Sequence, residues 1–210
     1  MTDTVAIVLA AGKGMRLGGP KALLLWPGPK GTKPRPLAIV HAETRLQAES
    51  TRAIVVARKH IVQMLLPFVI PGLDLVVSDA PDELGPAGSL ATAATRVRPT
   101  DRVLVCPVDT LPAKRDTTEK LLAALGADGG APVAARPKVG ERFGHPVAMQ
   151  GSALDRYRQA PQAPPLRDHL RALGEACAGV EVRDPDVLVD IDTPADAGRY
   201  LQGPPTYLNG

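Results

Sequence analysis

Residues 5–21 read VAIVLAAGKGMRLGGPK, an apolar segment that continues directly into a glycine-rich basic loop. The Val, Ile and Leu side chains predict a buried strand over residues 5–10. Four glycines, two lysines and one arginine follow it. Backbone N–H groups and cations at the end of a strand can bind phosphates, and glycine allows a bulky anion to approach the backbone. We interpret the stretch as a phosphate loop for a nucleoside triphosphate.

This loop differs from two familiar phosphate loops. A P-loop needs Ser or Thr after Gly-Lys, whereas Gly14 follows Gly12 and Lys13. A dinucleotide loop needs a third glycine at the position that Leu17 occupies. The lysines and the arginine also suit a triphosphate better than a dinucleotide. The alternative interpretation is a surface turn in which Gly and Lys serve only solubility.

The composition indicates a globular protein of one large domain. Of the 210 residues, 44% are apolar and only 3% are aromatic, so the core must be built from Ala, Val and Leu. The net charge of +3 is mild, and no basic stretch alternates with aromatic residues, which argues against nucleic-acid binding. We expect one domain over residues 1–202 and a loosely held tail over residues 203–210.

The sequence also predicts a cytoplasmic protein that does not contact a membrane. No apolar run approaches the roughly 20 residues of a membrane span, and the N-terminus has no signal-peptide pattern. Cys106 and Cys177 form no CxxC motif and indicate reduced thiols. The four histidines lack the spacing of zinc ligands.

Short apolar runs alternate with helical patterns along the chain. The predicted strands cover residues 5–10, 53–57, 73–77, 102–106, 132–135, 147–150 and 187–191. The predicted helices cover residues 37–50, 59–66, 89–97, 117–125, 152–159, 166–173 and 195–201. This alternation predicts βαβ units and a mostly parallel sheet covered on both faces. Ligands of such sheets bind at the carboxyl ends of the strands.

Acidic residues follow two of the predicted strands. Asp109 comes after an apolar run and stands between two prolines, where it can hold Mg²⁺ or merely form a turn. Asp190 and Asp192 point to the same side of an extended segment. One of them could cap the final helix, but Thr193 can also take that role and leave both carboxylates free. A basic glycine loop opposite two acidic loops suits metal-assisted phosphoryl or nucleotidyl transfer.

Three further segments have two interpretations each. The turn over residues 84–90, which contains Ser89, can offer backbone groups and a helix N-terminus to a base or ribose, or be a plain turn. His145 either orients a substrate or is a structural histidine. The Pro-rich basic segment over residues 26–36 is either a tolerated surface insertion or a mobile flap near the substrate.

With these residues in place, the chain resembles the MobA-like nucleotidyltransferase family, and most closely its molybdenum cofactor cytidylyltransferase and guanylyltransferase branch. The opening Leu-Ala-Ala-Gly-x-Gly-x-Arg-x-Gly-x-Pro-Lys pattern is matched over residues 9–21 with one extra residue. The Pro-Val-Asp element is matched over residues 107–109, with Pro112 one place late. Gly-His-Pro at residues 144–146 and Asp-Ile-Asp-Thr-Pro at residues 190–194 are similar to elements of the cofactor cytidylyltransferases.

The resemblance implies a three-layer α/β/α Rossmann-like fold with a mixed, mostly parallel sheet. It implies transfer of a nucleoside monophosphate from CTP or GTP to a phosphate-bearing acceptor, molybdopterin above all, with release of pyrophosphate. Contact with a molybdoenzyme or a maturation factor would follow from that acceptor. The same opening pattern occurs in sugar-phosphate nucleotidyltransferases, so a sugar or alditol phosphate is the alternative acceptor. A non-catalytic nucleotide-binding domain of the same fold is a third alternative.

The resemblance also implies roles for individual residues. Gly14 and Arg16 would meet the β- and γ-phosphates, and Lys21 would stabilise the charge that develops at the α-phosphate. Mg²⁺ would be held by Asp109 and, in order of preference, Asp192 and Asp190. The backbone of Leu9, Ala10, Ala11 and Gly12 would face the base.

The sequence departs from the family pattern in two places. The segment over residues 26–36 is longer than the family's usual turn after Lys21. Residues 85–88 are closer to the guanylyl enzymes, whereas Ala10 and Ala11 favour CTP. The sequence therefore leaves the nucleobase open.

Overall fold

In the computed structural model, which describes residues 3–28, 32–127, 130–159, 164–201 and 203–209, strands alternate with helices. The strands are β1 (Thr4–Leu9), β2 (Leu25–Trp26), β3 (Arg35–Pro36), β4 (Arg52–Ala57), β5 (Leu73–Val77), β6 (Arg102–Pro107), β7 (Ala134–Val139), β8 (Arg142–Phe143), β9 (Val147–Gln150) and β10 (Cys177–Glu181). The helices are α1 (Leu37–Ala48), α2 (Lys59–Leu65), α3 (Gly85–Ala94), α4 (Arg115–Ala123), α5 (Asp155–Gln159), α6 (Leu166–Leu173) and α7 (Pro194–Leu201).

The main sheet has the strand order β10-β7-β9-β6-β1-β4-β5, with β8 paired to β7 beside this path. Strand β1 is parallel to β4 on one side and to β6 on the other. The two short strands β8 and β9 are antiparallel to their neighbours. The prediction of a mixed, mostly parallel sheet is therefore confirmed. Because the chain leaves β1 for β4 on one side and reaches β6 on the other, a crevice opens at the carboxyl end of β1.

Helices cover both faces of the sheet, since successive side chains of a strand point to opposite faces. On β1, Ala6 and Val8 pack in a core with residues of α1, α2, α4 and α7. Val5, Ile7 and Leu9 pack in a second core with residues of α3, α5 and α6. The three-layer α/β/α architecture is confirmed. No helix within the described residues has the length and apolar character needed to span a bilayer.

Two predicted strands differ from the structure. Residues 187–191 form no strand of the sheet, because Pro185 starts a 3₁₀ turn that reaches Leu188 and only a single bridge follows at Asp190. The last strand of the chain is instead β10, which lies at one edge of the sheet, although its Ala and Gly have little strand propensity. The strand predicted over residues 132–135 lies later in the chain, as β7.

The described part of the C-terminal tail, which the sequence suggested to be loosely held, makes backbone hydrogen bonds to the domain. The N–H of Leu25 donates to the carbonyl of Thr206 (2.8 Å), and the N–H of Leu208 donates to the carbonyl of Leu23 (2.9 Å). The tail therefore adds an extended segment beside residues 23–25. The Pro-rich segment begins and ends in the antiparallel pair β2–β3, and its residues 29–31 lie outside the described chain.

Candidate active site

The glycine loop after β1 is folded around one carbonyl group. The oxygen of Gly14 accepts hydrogen bonds from the N–H groups of Leu17, Gly18 and Gly19 at 3.0 to 3.3 Å. Gly14 has a φ of 63°, and a Cβ at this position would lie 1.9 Å from the oxygen of Gly19. Only glycine fits there. The N–H groups of residues 11–14 donate to no group within the described residues, which leaves these donors for an anion.

Lys21 brings the basic loop and both acidic segments together. Its Nζ lies 2.6 Å from Oδ1 of Asp192 and 3.1 Å from Oδ2 of Asp109, and its side chain is only 13% exposed. Arg16, which is 74% exposed, contacts Oδ2 of Asp192 at 3.0 Å. Two carboxylates from distant parts of the chain thus converge on one cation position.

Backbone hydrogen bonds hold the two acidic segments against each other. The N–H of Ile191 donates to the carbonyl of Asp109 at 2.6 Å, and Thr110 forms an antiparallel bridge with Asp190. This pairing joins the carboxyl end of β6 to the segment that precedes α7. The relative position of Asp109 and Asp192 is therefore set by the backbone as well as by Lys21.

Helix α7 is capped by its own residues, and Asp192 is not its cap. Oδ2 of Asp196 accepts hydrogen bonds from the N–H (2.9 Å) and the hydroxyl (2.8 Å) of Thr193. The hydroxyl of Thr193 in turn accepts the N–H of Asp196 at 3.2 Å. This reciprocal arrangement is a capping box, and Pro194 occupies the first helical position. The carboxylate of Asp192 therefore stays available in the site.

The charges of the cluster shift its pKa values in opposite directions. Burial lowers the pKa of Lys21, but the hydrogen bonds and charges of Asp192 and Asp109 outweigh it, so its pKa lies above the ordinary value. The hydrogen bond from Lys21 holds the pKa of Asp192 below its usual range. Burial, followed by the like charges of Asp109 and Asp192, raises the pKa of Asp190. The cluster is a concentrated charge site that can bind both an anion and a cation.

A cavity of about 430 Å³ lies between the glycine loop, the start of α3 and the acidic segments. Most of the residues proposed from the sequence line it: Leu9, Ala11, Gly12, Gly14, Arg16, Lys21, Ser89, Asp109 and Asp192. It is also lined by Met15, Pro86 and Val108, to which the sequence assigned no individual role, and by Arg58 and Asp82, which lie outside the segments proposed from the sequence. The basic loop and the acidic segments therefore line one cavity at the carboxyl ends of the strands.

Three residues proposed from the sequence do not line this cavity. Ala10 is fully buried in the core, and its N–H donates to the carbonyl of Val56 at 2.8 Å, so this N–H is not available to a base. Asp190 uses its backbone to pair with Thr110, and its side chain lies outside the lining. His145 lies beside the site, where burial lowers its pKa and its Nδ1 has no hydrogen-bond partner in the described chain.

A divalent metal fits the donor set formed by Asp109 and Asp192. Both carboxylates already contact one cationic atom, and Mg²⁺ uses one or two carboxylates together with substrate oxygens. In the part of the chain that the structure describes, no group of three or more His, Cys, Asp or Glu side chains could hold a metal. The arrangement therefore fits a metal that shares its ligands with a substrate.

Lys13 takes part in an ion-pair cluster at the edge of the cavity. Its Nζ lies 2.6 Å from Oδ2 of Asp82, and the guanidinium of Arg58 contacts the other oxygen of the same carboxylate. Arg58 also donates to the carbonyls of Ser78 (3.0 Å) and Ala80. The glycine loop is thus connected to the turn before α3 through Asp82.

Two buried polar side chains of α1 support the loop that carries Asp109. The Nε2 of His41 lies 3.0 Å from the carbonyl oxygen of Thr110, and burial lowers the pKa of His41 to about 4. Arg45, one turn later, donates to Thr118 (2.8 Å) and to the carbonyl of Ala113. The sequence offered a signal for this support, because His and Arg four residues apart on an apolar helix face are unusual.

Fold and site together define a nucleotidyltransferase with an α/β core and a glycine loop opposite acidic segments. The profile of the MobA-like NTP transferase domain matches residues 6–177. The chain therefore belongs to the MobA-like NTP transferase domain family. The comparison with curated proteins gives no match.

Solved structures show the same fold. A homologue of Rv0371c from Mycobacterium sp. strain JC1 is 25% identical, with a TM-score of 0.74 and 95% of each chain covered. The manganese complex of Rv0371c from Mycobacterium tuberculosis H37Rv is 20% identical, with a TM-score of 0.69 and coverage of 96% of this chain and 99% of the other. Molybdopterin-guanine dinucleotide biosynthesis protein A from Archaeoglobus fulgidus is 17% identical, with a TM-score of 0.63 and coverage of 95% and 97%.

Proposed function

We propose that this nucleotidyltransferase transfers a nucleoside monophosphate from CTP or GTP to molybdopterin, a phosphate-bearing acceptor, and releases pyrophosphate. The observation that carries the proposal is the position of Lys21 between Asp109 and Asp192, at the end of a cavity that begins at the glycine loop. Cationic groups and metal-binding carboxylates then face the same reacting phosphate from two sides. Phosphoryl transfer requires this arrangement, because the phosphate charge must be neutralised while the reacting groups are aligned.

The glycine loop would bind the leaving part of the triphosphate. The partnerless N–H groups of residues 11–14 can donate to phosphate oxygens, and Arg16 is exposed enough to reach the β- and γ-phosphates. Ala11 and Gly12 are the backbone positions left for the base, because Ala10 is committed to the sheet. Ser89, near the start of α3, would face the base or the ribose.

Lys21 would move its hydrogen bonds from the carboxylates to the α-phosphate as the substrate enters. Asp109 and Asp192 would then hold Mg²⁺, which neutralises phosphate charge when it is bound. The manganese in the similar Rv0371c structure supports a divalent metal in this fold. An oxygen of the acceptor phosphate bonds to the α-phosphorus, and the bond from that phosphorus to the pyrophosphate oxygen breaks. The nucleophile is already anionic, so no strong general base is needed, and alignment carries the catalysis.

A pyrophosphate-release screen tests this function. CTP, GTP and UTP are each combined with Mg²⁺ and with molybdopterin or a panel of sugar and alditol phosphates. We expect release with molybdopterin and with one of CTP and GTP. Release with a sugar phosphate and none with molybdopterin would contradict the proposed acceptor. Release in Asp109→Asn should be lost, whereas Asp116→Asn, which changes an exposed carboxylate on α4, should match the wild type.

A further inference from the structure

Arg136 on β7 has a partly buried guanidinium without a counter-charge. Neither a hydrogen bond nor an ion pair to this side chain occurs within the described residues, and its Nε is fully buried. Burial lowers the pKa of Arg136. A buried cation that lacks a partner is costly and is normally paired. The side chain is therefore available to an anion from outside the chain.

Phe143 on β8 provides the surface against which Arg136 lies. The Cζ of Arg136 is 4.6 Å from the centre of the Phe143 ring, and the ring itself is 47% exposed. Gly179 on β10 makes room for this ring, since a Cβ at that position would lie 3.0 Å from it. Together, Arg136 and Phe143 present a cation and an exposed aromatic ring side by side.

The strand order places this pair on the far side of Asp109 from the glycine loop. The glycine loop follows β1, Asp109 follows β6, and β9 and β7 come next in the sheet. His145, just before β9, is close enough to both Asp109 and Arg136 that the charges of both act on it. By strand register Arg136 is level with Val105, about two residues or roughly 7 Å short of the carboxyl end of β6.

This placement suits the acceptor. In an in-line displacement the incoming oxygen and the leaving pyrophosphate lie on opposite sides of the α-phosphorus. If the pyrophosphate leaves along the glycine loop, the acceptor approaches from the side of β9 and β7. Arg136 is too far behind the edge of the sheet to hold the reacting phosphate, and it would contact another part of the acceptor.

We propose that Arg136 and Phe143 form a subsite for the acceptor, which binds an anionic group carried beside a flat ring. This inference rests on the proposed function and deepens it, since it defines the acceptor as a molecule with an anion remote from its reacting phosphate. The guanidinium pairs with the anion, and the aromatic ring stacks on the flat part.

The binding test uses phenyl phosphate and benzoate, which carry a flat ring beside a phosphate or a carboxylate. Inorganic pyrophosphate is added first to fill the glycine loop. The Nε–H resonance of Arg136 in ¹⁵N-labelled protein, assigned by its loss in Arg136→Met, is followed during each titration. We expect at least one probe to shift this resonance in a saturable manner, and the more effective probe identifies the anion. If neither probe shifts it, the subsite is wrong.

The kinetic test separates this subsite from the proposed function. We expect Arg136→Met to raise the KM for the acceptor at least tenfold with kcat changed less than threefold, and Arg136→Lys, which keeps the charge, to recover part of the loss. Arg102→Met, which changes an exposed arginine at the amino end of β6, is the matched control and should match the wild type. An unchanged acceptor KM in folded Arg136→Met overturns the subsite alone. Saturable probe binding without pyrophosphate release would overturn the proposed function alone.

Discussion

Lys21 is the residue on which the proposed chemistry depends most directly. Its ammonium group contacts two carboxylates that would otherwise repel each other, and it is the least exposed member of this ionic cluster. Lys13 has the opposite character, since it is 67% exposed and pairs with Asp82 at the edge of the cavity. The two lysines of one loop therefore have different expected roles.

Replacing Lys21 should abolish most of the activity, and replacing Lys13 should not. We expect Lys21→Met to lower kcat at least about a hundredfold, because a charge aimed at the reacting phosphate is lost. Lys13→Met, the matched control in the same loop, should change kcat less than about threefold. Pyrophosphate release at saturating substrate measures both. Equal losses in the two variants would contradict the roles proposed here.

His41 makes a pH-dependent contribution to stability. Its pKa in the folded protein is about 4, below the ordinary value of 6.5, because burial disfavours the charged ring. As the pH falls below 6.5, the unfolded chain therefore binds a proton that folded His41 does not bind. The stability that neutral His41 provides is complete above pH 6.5 and is lost progressively as the pH falls towards 4.

The substitution His41→Gln should flatten the pH dependence of folding. Between pH 7 and pH 5, protonation of His41 in the unfolded chain should lower the free energy of unfolding of the wild type by about 2 kcal/mol. The variant should lack this loss. Urea unfolding at the two pH values measures the difference. His60→Gln, which changes an exposed histidine of α2, is the control. A wild type and a His41→Gln variant with the same pH dependence would refute this assignment.

At the scale of elements, the C-terminal tail supports the glycine loop. The hydroxyl of Tyr207 donates to the carbonyl of Leu17 at 2.8 Å. A Cβ on Gly19 would lie 3.1 Å from the Tyr207 ring, so the ring packs directly on the loop backbone. The tail lies after residue 177, beyond the part of the chain that the family profile matches. This support therefore comes from a segment outside the range that the family profile matches.

We expect Tyr207→Phe to weaken nucleotide binding while leaving chemistry intact. The lost hydrogen bond is worth about 1 kcal/mol, so the KM for the nucleoside triphosphate should rise about fivefold with kcat within about twofold. Steady-state kinetics at varied nucleotide measure the two constants separately. Tyr200→Phe, a partly buried tyrosine on α7, is the matched control. A fall in kcat at constant KM would contradict a positioning role of the tail.

Local patterns predicted most elements but not the edge strand β10. Residues 73–77 are rich in Val and Leu, and residues 147–150 follow a proline. Both segments form strands over the predicted bounds. Strand β10 contains Ala and Gly and is held by its parallel pairing with β7. Tertiary pairing of this kind overrides local propensity and cannot be detected in one segment alone.

At the scale of the whole molecule, the sequence predicted which loops meet but not how they contact each other. Asp192 reaches the site without a strand of the sheet before it, through the pairing of Asp190 with Thr110. The rule that ligands bind at the carboxyl ends of parallel strands predicted that Asp109 lies beside the glycine loop that carries Lys21. It could not show that Ala10 donates its N–H to Val56, because that depends on the register of β1 against β4. The partners of Asp82 and Tyr207 likewise depend on contacts between segments far apart in sequence.

The central claim is that one cavity holds the triphosphate and the metal, with Lys21 passing from the carboxylates to the α-phosphate. The most direct measurement is a crystal structure with a non-hydrolysable CTP or GTP analogue and Mn²⁺, which anomalous scattering locates. We expect manganese bound to Asp109 and Asp192, the β- and γ-phosphates on the glycine loop, and the Nζ of Lys21 nearer to the α-phosphate than to either carboxylate. A triphosphate or manganese bound outside this cavity would contradict the central claim.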